Sequence, residues 1–121
     1  MIKTEKKYQK AQECPITLFM TEIGGKWKPV ILWLLLMNDV MRFNELNRAI
    51  NGISQKMLSQ QLKDLERLKL INRKSYPVIP PKVEYSLTNK GKSLKGILKE
   101  ILDWTNQNLK KNGSEQSAER T

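Results

Sequence analysis

Residues 51–70, NGISQKMLSQQLKDLERLKL, join a short turn to an amphipathic helix. Asn51-Gly52 ends one helical pattern, and Ser54 offers an N-cap for the next. Residues 43–50 before the turn also carry apolar side chains at helical spacing. The leucines after the turn recur at steps of four, three and three, which places them on one stripe of a helix over residues 55–70. They are Leu58, Leu62, Leu65 and Leu68. Two helices joined by a three-residue turn with glycine are typical of a helix-turn-helix.

The segments on either side add a wing to this motif. Upstream we predict helices over residues 15–23 and 30–37 and a short extended piece over residues 40–42. Downstream we predict extended segments over residues 71–78 and 82–87, joined through prolines, and a final helix from Thr88 or Asn89 to about residue 110. The predicted fold class is mainly α (α+β): a winged helix-turn-helix with a two-stranded wing and flanking dimerisation helices.

Length and composition limit the possible functions. The 121 residues suit one domain, which we expect over residues 1–111, with a disordered polar tail over residues 112–121. The chain has no histidine and one cysteine, so it lacks the residues for histidine-based catalysis, an intrachain disulfide or a Cys-cluster metal site. With 22 Lys+Arg against 12 Asp+Glu, its net charge is +10. We therefore expect no enzyme activity and no cofactor, and a polyanion as partner.

Neither the start of the chain nor its apolar run indicates a membrane protein. The first residues are charged and lack the apolar segment of a secretory signal. The longest apolar run, residues 30–37, has eight residues, whereas a membrane span needs about 18. We expect no membrane partner, a cytoplasmic location, and a helix that is buried on most sides over this run.

The outer face of the helix over residues 55–70 is the candidate for reading DNA. Its N-terminal half carries side chains that pair with base edges or hold phosphates, and no carboxylate. The predicted contacts are Ser54, Gln55, Lys56, Ser59, Gln60 and Lys63. Residues 54–92 hold nine basic and three acidic residues, and thus six of the ten net positive charges. The alternative is that this face is the ordinary polar side of an amphipathic helix.

Other cations lie where a wing and the nearby helix starts would approach DNA. A basic wing commonly holds phosphates or enters the minor groove, and a helix N-terminus favours an anion. The candidates are Arg73, Lys74 and Lys82 on the wing, Lys26 before a helix start, and Arg42 before the first helix of the motif. Each of them could equally be an ordinary solvated cation.

The last helix carries a wide apolar stripe, which suggests burial against a second copy of the chain. Its predicted interface residues are Leu94, Ile97, Leu98, Ile101 and Trp104, to which Tyr8, Ile16 and Phe19 near the start of the chain could add. The alternative is that the stripe packs on the chain's own core. A two-fold dimer would present two reading helices about 34–36 Å apart and so recognise an inverted repeat.

Cys14 is the one candidate for a chemical input. It precedes Pro15 at a predicted helix start, where the partial positive charge of the helix favours a thiolate. With no second cysteine, a response would need an interchain disulfide, a mixed disulfide or direct alkylation. The alternative is a small residue that only packs.

Several segments together resemble the HxlR-type regulators, bacterial winged-helix transcription factors related in shape to the MarR group. In chain order they include Cys14-Pro15, Ile23-Gly24-Gly25-Lys26-Trp27, Arg42-Phe43-Asn44-Glu45-Leu46, Gly52-Ile53-Ser54-Gln55-Lys56-Met57-Leu58, Tyr76-Pro77, Pro80-Pro81-Lys82-Val83-Glu84-Tyr85-Ser86-Leu87-Thr88 and Gly91. The match covers roughly residues 14 to 104.

This resemblance implies a homodimer that binds operator sites in double-stranded DNA and regulates nearby genes. By resemblance, the helix from Ser54 is the recognition helix, the hairpin from Arg73 to Lys82 is the wing, and the two ends of the chain form the dimer. Some members of this family sense oxidants or electrophiles through a cysteine at the position of Cys14. The effector stays unknown, and the alternative function is a winged-helix module that binds proteins and not DNA.

Overall fold

The computed structural model describes residue 10 and residues 13–109. Its elements are α1 (Pro15–Glu22), α2 (Lys28–Asn38), β1 (Val40–Arg42), α3 (Phe43–Ala49), α4 (Gln55–Arg67), β2 (Ile71–Tyr76), β3 (Lys82–Leu87), α5 (Asn89–Lys92) and α6 (Lys95–Asn108). Helices α3 and α4 form the helix-turn-helix, and β2 and β3 form the wing, so the predicted fold class is confirmed. Tyr8 and the predicted tail lie outside the described residues.

The turn between α3 and α4 depends on Gly52. This residue has φ +87°, a left-handed conformation that an L side chain rarely adopts. Ser54 then caps α4, because its hydroxyl accepts a hydrogen bond of 3.0 Å from the Met57 N–H. The predicted turn and N-cap are both present, and they fix the direction in which α4 leaves the turn.

The wing belongs to a three-stranded antiparallel sheet in the order β1-β3-β2. Ile71 lies opposite Leu87 in the hairpin, and Val40 of β1 lies opposite Ser86 on the other side of β3. The two-stranded wing of the prediction therefore has its base extended by the short segment over residues 40–42. Because side chains alternate along a strand, one face of this sheet covers the core and the other faces outward.

One hydrophobic core lies between this sheet and the helices. Its fully buried members are Ile31, Leu32 and Leu35 of α2, Leu46 of α3, and Leu58, Leu62 and Leu65 of α4. The sheet contributes Met41, Tyr85 and Leu87, and the region after it contributes Leu94 and Leu98. The prediction that α2 is buried on most sides is correct for its centre, but Val30 and Met37 near its ends stay exposed.

Helix α4 ends earlier than predicted, at Arg67 and not at residue 70. The Leu70 N–H bonds back to the Leu65 carbonyl and the Lys69 N–H to the Glu66 carbonyl, the pattern of a Schellman motif. Lys69 takes the left-handed position at φ +63°, where glycine is the usual residue.

The predicted final helix is divided into α5 and α6. Thr88 caps α5 by accepting a hydrogen bond from the Gly91 N–H, as predicted. Gly91 lies so close to the Leu70 carbonyl that a Cβ atom there would overlap it. A turn at Ser93 follows, in which the Leu94 N–H bonds to the Gly91 carbonyl three residues back. The turn sets which side of α6 faces the core. None of the described helices is long and apolar enough to cross a membrane.

Candidate DNA-binding surface

Helix α4 separates its apolar stripe from its polar face. Three of the four predicted leucines are buried, and Leu68 is half-buried at the C-cap. The predicted contacts lie on the opposite face: Ser54, Gln55, Lys56, Gln60 and Lys63 are exposed and Ser59 is half-buried. The Ser54 hydroxyl oxygen is occupied by the N-cap bond, which leaves its proton as the donor for a partner.

The inner face of the wing continues the surface of α4. Arg73 shares the sheet face of Ile71 but lies farther out, beyond the core. A groove of about 480 Å³ lies between wing and helix, and Ser59, Lys63 and Arg73 line it together. The Glu66 carboxylate lines the same groove. The structure thus brings one predicted wing residue together with two predicted helix residues.

The other two wing cations lie on the outer face of the hairpin. Lys74 and Lys82 flank the Tyr76 ring, with Nζ atoms 5.0 and 4.3 Å from its centroid. The Tyr76 hydroxyl donates a 2.9 Å hydrogen bond to Glu84 Oε1, and the Lys82 ammonium lies 3.8 Å from Glu84 Oε2. This arrangement holds two cations along the stem of the wing, one of them partly neutralised.

A second groove, about 420 Å³, lies between α3 and the end of the wing. Arg42, Asn44 and Arg48 line it on one side, and Pro80, Pro81 and Lys82 line it on the other. Arg42 was predicted, and its backbone N–H donates to Glu45 Oε1 at 2.7 Å. Asn44 and Arg48 were not predicted, because the sequence gives no sign that the wing folds back over α3. The only available signal was their polar type on the first helix of the motif.

Asp64 is a second carboxylate on α4 close to the candidate contacts, and two cations lie beside it. Its oxygens lie 3.3 Å from the Lys28 ammonium of α2 and 3.9 Å from the Arg67 guanidinium. Gln60 Nε2 also donates to Asp64 at 3.4 Å. The Lys28 side chain is 13% exposed, so this pair ties the start of α2 to the middle of α4. Sequence reasoning missed Lys28, which is 36 positions from its partner.

Lys26 is not part of either groove. Its ammonium lies 4.7 Å from the centroid of the Trp27 ring, just before α2 begins. Trp27 is half-buried and packs against the core. Lys26 is therefore an exposed cation beside the N-terminal end of α2, two residues before the Lys28 that pairs with Asp64.

The predicted dimer residues divide into two groups. Ile16 of α1 and Ile97, Ile101 and Trp104 of α6 are exposed, with 50 to 70% of their surface accessible. Leu94 and Leu98 are 8 and 7% exposed and belong to the chain's own core, so their assignment to an interface is corrected. Phe19 is half-buried against the same core. The wide stripe of the sequence is thus two stripes, one inward and one outward.

The outward side of these helices carries further apolar residues that sequence reasoning missed. They are Leu18 and Met20 on α1; Leu102, which belongs to the apolar stripe expected on the last helix, is also exposed. The flank of α6 is charged: Lys99 donates a 2.8 Å hydrogen bond to Asp103, and this bond, together with the attraction of the carboxylate, raises the pKa of Lys99. An apolar stripe with a charged border is typical of a surface that meets another protein.

Cys14 is the N-cap residue of α1 and is half-buried. Its carbonyl accepts the first hydrogen bond of the helix, from the Leu18 N–H at 3.2 Å. Its thiol makes no capping bond to α1. No cluster of three or more possible metal ligands occurs among residue 10 and residues 13–109.

A helix-turn-helix followed by a wing, with a basic face on its second helix, defines the class of winged-helix transcriptional regulators. The chain belongs to the HxlR-like helix-turn-helix family, whose model matches residues 22–113. It is therefore a transcriptional regulator and not an enzyme, and the resemblance stated from sequence is confirmed.

Named relatives agree with this assignment. The regulatory protein MalR of Fusobacterium mortiferum is 47% identical over 108 residues, which cover 89% of this chain and 100% of MalR. An HTH-type transcriptional regulator of Halalkalibacterium halodurans is 49% identical over 104 residues, 84% of this chain and 92% of the relative. Among solved structures, the redox regulator HypR in its oxidised form has a TM-score of 0.74 and 38% identity, and the match covers 80% of this chain and 99% of HypR.

Proposed function

We propose that this regulator binds, as a homodimer, an inverted-repeat operator in double-stranded DNA. The observation that carries the proposal is the surface on which Ser59 and Lys63 of α4 face Arg73 of the wing across one groove. The N-terminal half of α4 would enter the major groove, where glutamine pairs with adenine and lysine with guanine. The cations of the wing and of α3 would hold phosphates on either side.

The dimer would form through the outward stripes of α1 and α6. Burying Ile16, Ile101 and Trp104 against a second copy removes apolar surface from water without disturbing the core. A two-fold dimer places the two α4 helices on one side of the duplex and matches an inverted repeat with half-sites about 34–36 Å apart.

The experiment is operator binding by a charge-reversed variant and a matched control. An operator is first selected from a random duplex library with the full chain. Lys63→Glu places a carboxylate against DNA, and we expect a loss of affinity of about 30-fold or more. Lys92→Glu makes the same charge change on α5, outside both grooves, and should stay within about threefold. Equal losses in the two variants would contradict a specific role for α4.

Gln60→Ala tests whether α4 recognises particular bases, because the substitution removes an amide and leaves the charge of the protein unchanged. It should leave the dimer intact and change the base preferred at one position of each half-site, because an amide that pairs with a base edge is removed. The measurement is a repeated selection with the variant. An identical selected sequence would contradict base reading by Gln60.

The salt dependence separates a DNA regulator from a winged-helix module that binds proteins. About six to ten phosphate contacts would give a slope of log affinity against log salt of roughly −5 to −9. A flat response would favour the protein-binding module.

We also propose that Cys14 makes DNA binding responsive to oxidants or electrophiles. The supporting observations are its place at the start of α1, beside the proposed interface, and the likeness to HypR, which is named as a redox regulator. In the disulfide form of the response, two Cys14 thiols of a dimer lose two protons and two electrons to an azo oxidant such as diamide, which becomes the hydrazine.

The test compares operator affinity with and without diamide in the wild type and in Cys14→Ser. We expect diamide to change the affinity of the wild type only, and a reductant to restore it. The same response in both proteins would contradict sensing by Cys14. An interchain disulfide would also appear as a dimer on a non-reducing gel, whereas a mixed disulfide or alkylation would leave a monomer of increased mass.

A further inference from the structure

The tip of the wing, residues 77–81, is entirely apolar. It reads Pro77-Val78-Ile79-Pro80-Pro81 and contains no charged or polar side chain. Ile79 is 99% exposed, and Val78 is 48% exposed. Single exposed apolar residues are common on proteins. Five consecutive apolar residues at the end of the hairpin, with Val78 and Ile79 exposed, form an apolar patch of the kind that marks an interaction site.

The tip also offers few hydrogen-bond donors. Its three prolines have no N–H group, and the Val78 N–H is bonded to the Tyr76 carbonyl at 2.9 Å. The proline rings restrict the backbone, so the tip loses little conformational entropy when it is covered. The tip therefore presents a restricted backbone and one fully exposed aliphatic side chain, that of Ile79, to a partner.

The surroundings of the tip identify the partner as a polyanion. Lys74 and Lys82 lie along the stem of the hairpin, and Arg42 and Arg48 line the groove that Pro80 and Pro81 also line. Two carboxylates lie among them, Glu45 in that groove and Glu84 beside Lys82. The four cations outnumber these two carboxylates, and an apolar edge beside cations fits the minor groove of DNA, where a narrow floor of base edges lies between two rows of phosphates.

A wing commonly enters the minor groove; we propose that in this chain Ile79, at the end of the wing, selects A·T over G·C pairs there, beside each half-site. The proposal rests on operator binding through α4, and it adds a second reading element to it. In the minor groove a G·C pair differs from an A·T pair by the guanine N2 amino group. The isoleucine side chain has no hydrogen-bond acceptor. If it packed on guanine, it would displace the water bonded to that amino group and leave the N–H donor without a partner, which costs free energy. An A·T pair has no such group.

This way of reading differs from insertion of an arginine, which is attracted by the negative potential of a narrow minor groove. Residues 77–81 include no cation; Lys74 and Lys82 lie on the stem of the hairpin, on either side of the tip in the sequence. They would hold the phosphates of the two strands, while the choice of base pair would depend on the apolar contact of Ile79.

The experiment uses the selected operator with three versions of the base pairs immediately outside each half-site: A·T, G·C and inosine·cytosine. Inosine lacks the N2 amino group, so an inosine·cytosine pair resembles A·T in the minor groove and G·C in the major groove. The wild type should bind the G·C version about tenfold more weakly than the A·T version, the usual effect of a disfavoured pair. It should bind the inosine version about as well as the A·T version.

Ile79→Asn supplies an acceptor for the guanine amino group and should bind all three versions within about threefold of one another. Val40→Asn makes the same kind of change at an aliphatic residue of β1 that is 48% exposed and away from the tip, and it should keep the wild-type preference. Because both positions are exposed, neither variant should lose its fold.

Three results would overturn the inference: equal binding of the three versions by the wild type, weak binding of the inosine version, or an unchanged preference in Ile79→Asn. If Ile79→Asn altered regulation in cells with operator affinity and base preference unchanged, the tip would instead contact a protein. Failure of the proposed function is a different result, since the full chain would then select no inverted repeat from the library at all.

Discussion

Helices α4 and α6 contribute to the same core but present different outer faces. Leu58, Leu62 and Leu65 of α4 are buried, as are Leu94, just before α6, and Leu98 within it. Outside, α4 carries glutamine, serine and lysine, whereas α6 carries isoleucine, leucine and tryptophan. The inner faces are alike because both pack in the same hydrophobic core. We attribute the difference between the outer faces to the two proposed partners, DNA for α4 and a second copy of the chain for α6.

The comparison shows that an apolar stripe alone does not reveal its partner. On α4 the polar face follows directly from the leucine spacing. On α6 the apolar residues extend around more of the helix than one contact can cover, and only the structure separates the inward from the outward members. The predictions below test that separation.

The largest expected effect concerns the two sides of α6. Leu98→Ala leaves a cavity in the core and should lower the free energy of unfolding by about 2–5 kcal/mol. Ile97→Ala, its neighbour on the outward side, should cost less than about 1 kcal/mol when the protein is monomeric. Urea unfolding in an Ile101→Lys background, in which we expect the protein to be monomeric, measures both losses. Equal losses would contradict the division of α6 into two stripes.

The next effect concerns the outward side itself. Ile101→Lys places a charge in the proposed interface and should convert the dimer to a monomer in sedimentation or light scattering. Operator affinity should then fall by about 100-fold or more, because the two half-sites are no longer bound together. Lys63→Glu on α4 is the matched control, since it should lose operator affinity and remain a dimer. A dimeric Ile101→Lys protein would show that the contact between copies lies elsewhere.

A smaller effect concerns the contact that positions α4. Lys28→Met removes the cation nearest Asp64 and leaves a half-buried carboxylate beside the DNA-reading face. We expect stability to fall by about 1 kcal/mol and operator affinity to fall several-fold. Lys28→Arg keeps the charge and should restore both quantities in thermal unfolding and binding assays. If Lys28→Met and Lys28→Arg behaved alike, the ion pair would have no role in placing α4.

The features that sequence predicts correctly are those that neighbouring residues decide. Gly52, Ser54 and Thr88 mark a turn and two N-caps through their own backbone and side-chain chemistry. The strand over residues 82–87 follows from simple alternation. The basic face of α4 follows from the same periodicity that gives its leucine stripe.

The features that sequence misses depend on contacts between distant residues. One such contact is the close approach of Gly91 to the Leu70 carbonyl, 21 positions earlier in the chain, which holds α5 against the region that follows α4. The approach of Arg48 to the wing and of Lys28 to Asp64 also requires the folded chain. Leu94 and Leu98 could not be assigned to the core from their spacing, because the turn at Ser93 changes which side of the following helix faces inward.

The smallest expected effect returns to α4, at its C-terminal end. Lys69 holds a left-handed backbone with φ +63° in the Schellman motif, a conformation that costs an L residue about 1 kcal/mol more than glycine. Lys69→Gly removes that strain but adds flexibility to the unfolded chain, which offsets about half of the gain or more, so a net gain of at most about 0.5 kcal/mol is expected in urea unfolding. The contact of the Lys69 carbonyl with the Thr88 hydroxyl, at 2.7 Å, involves only the backbone of residue 69 and should persist. Lys69→Ala keeps the strain and removes only the side chain, so it should show no gain. A gain shared by both variants would mean that the lysine side chain, and not its backbone conformation, limits how α4 ends.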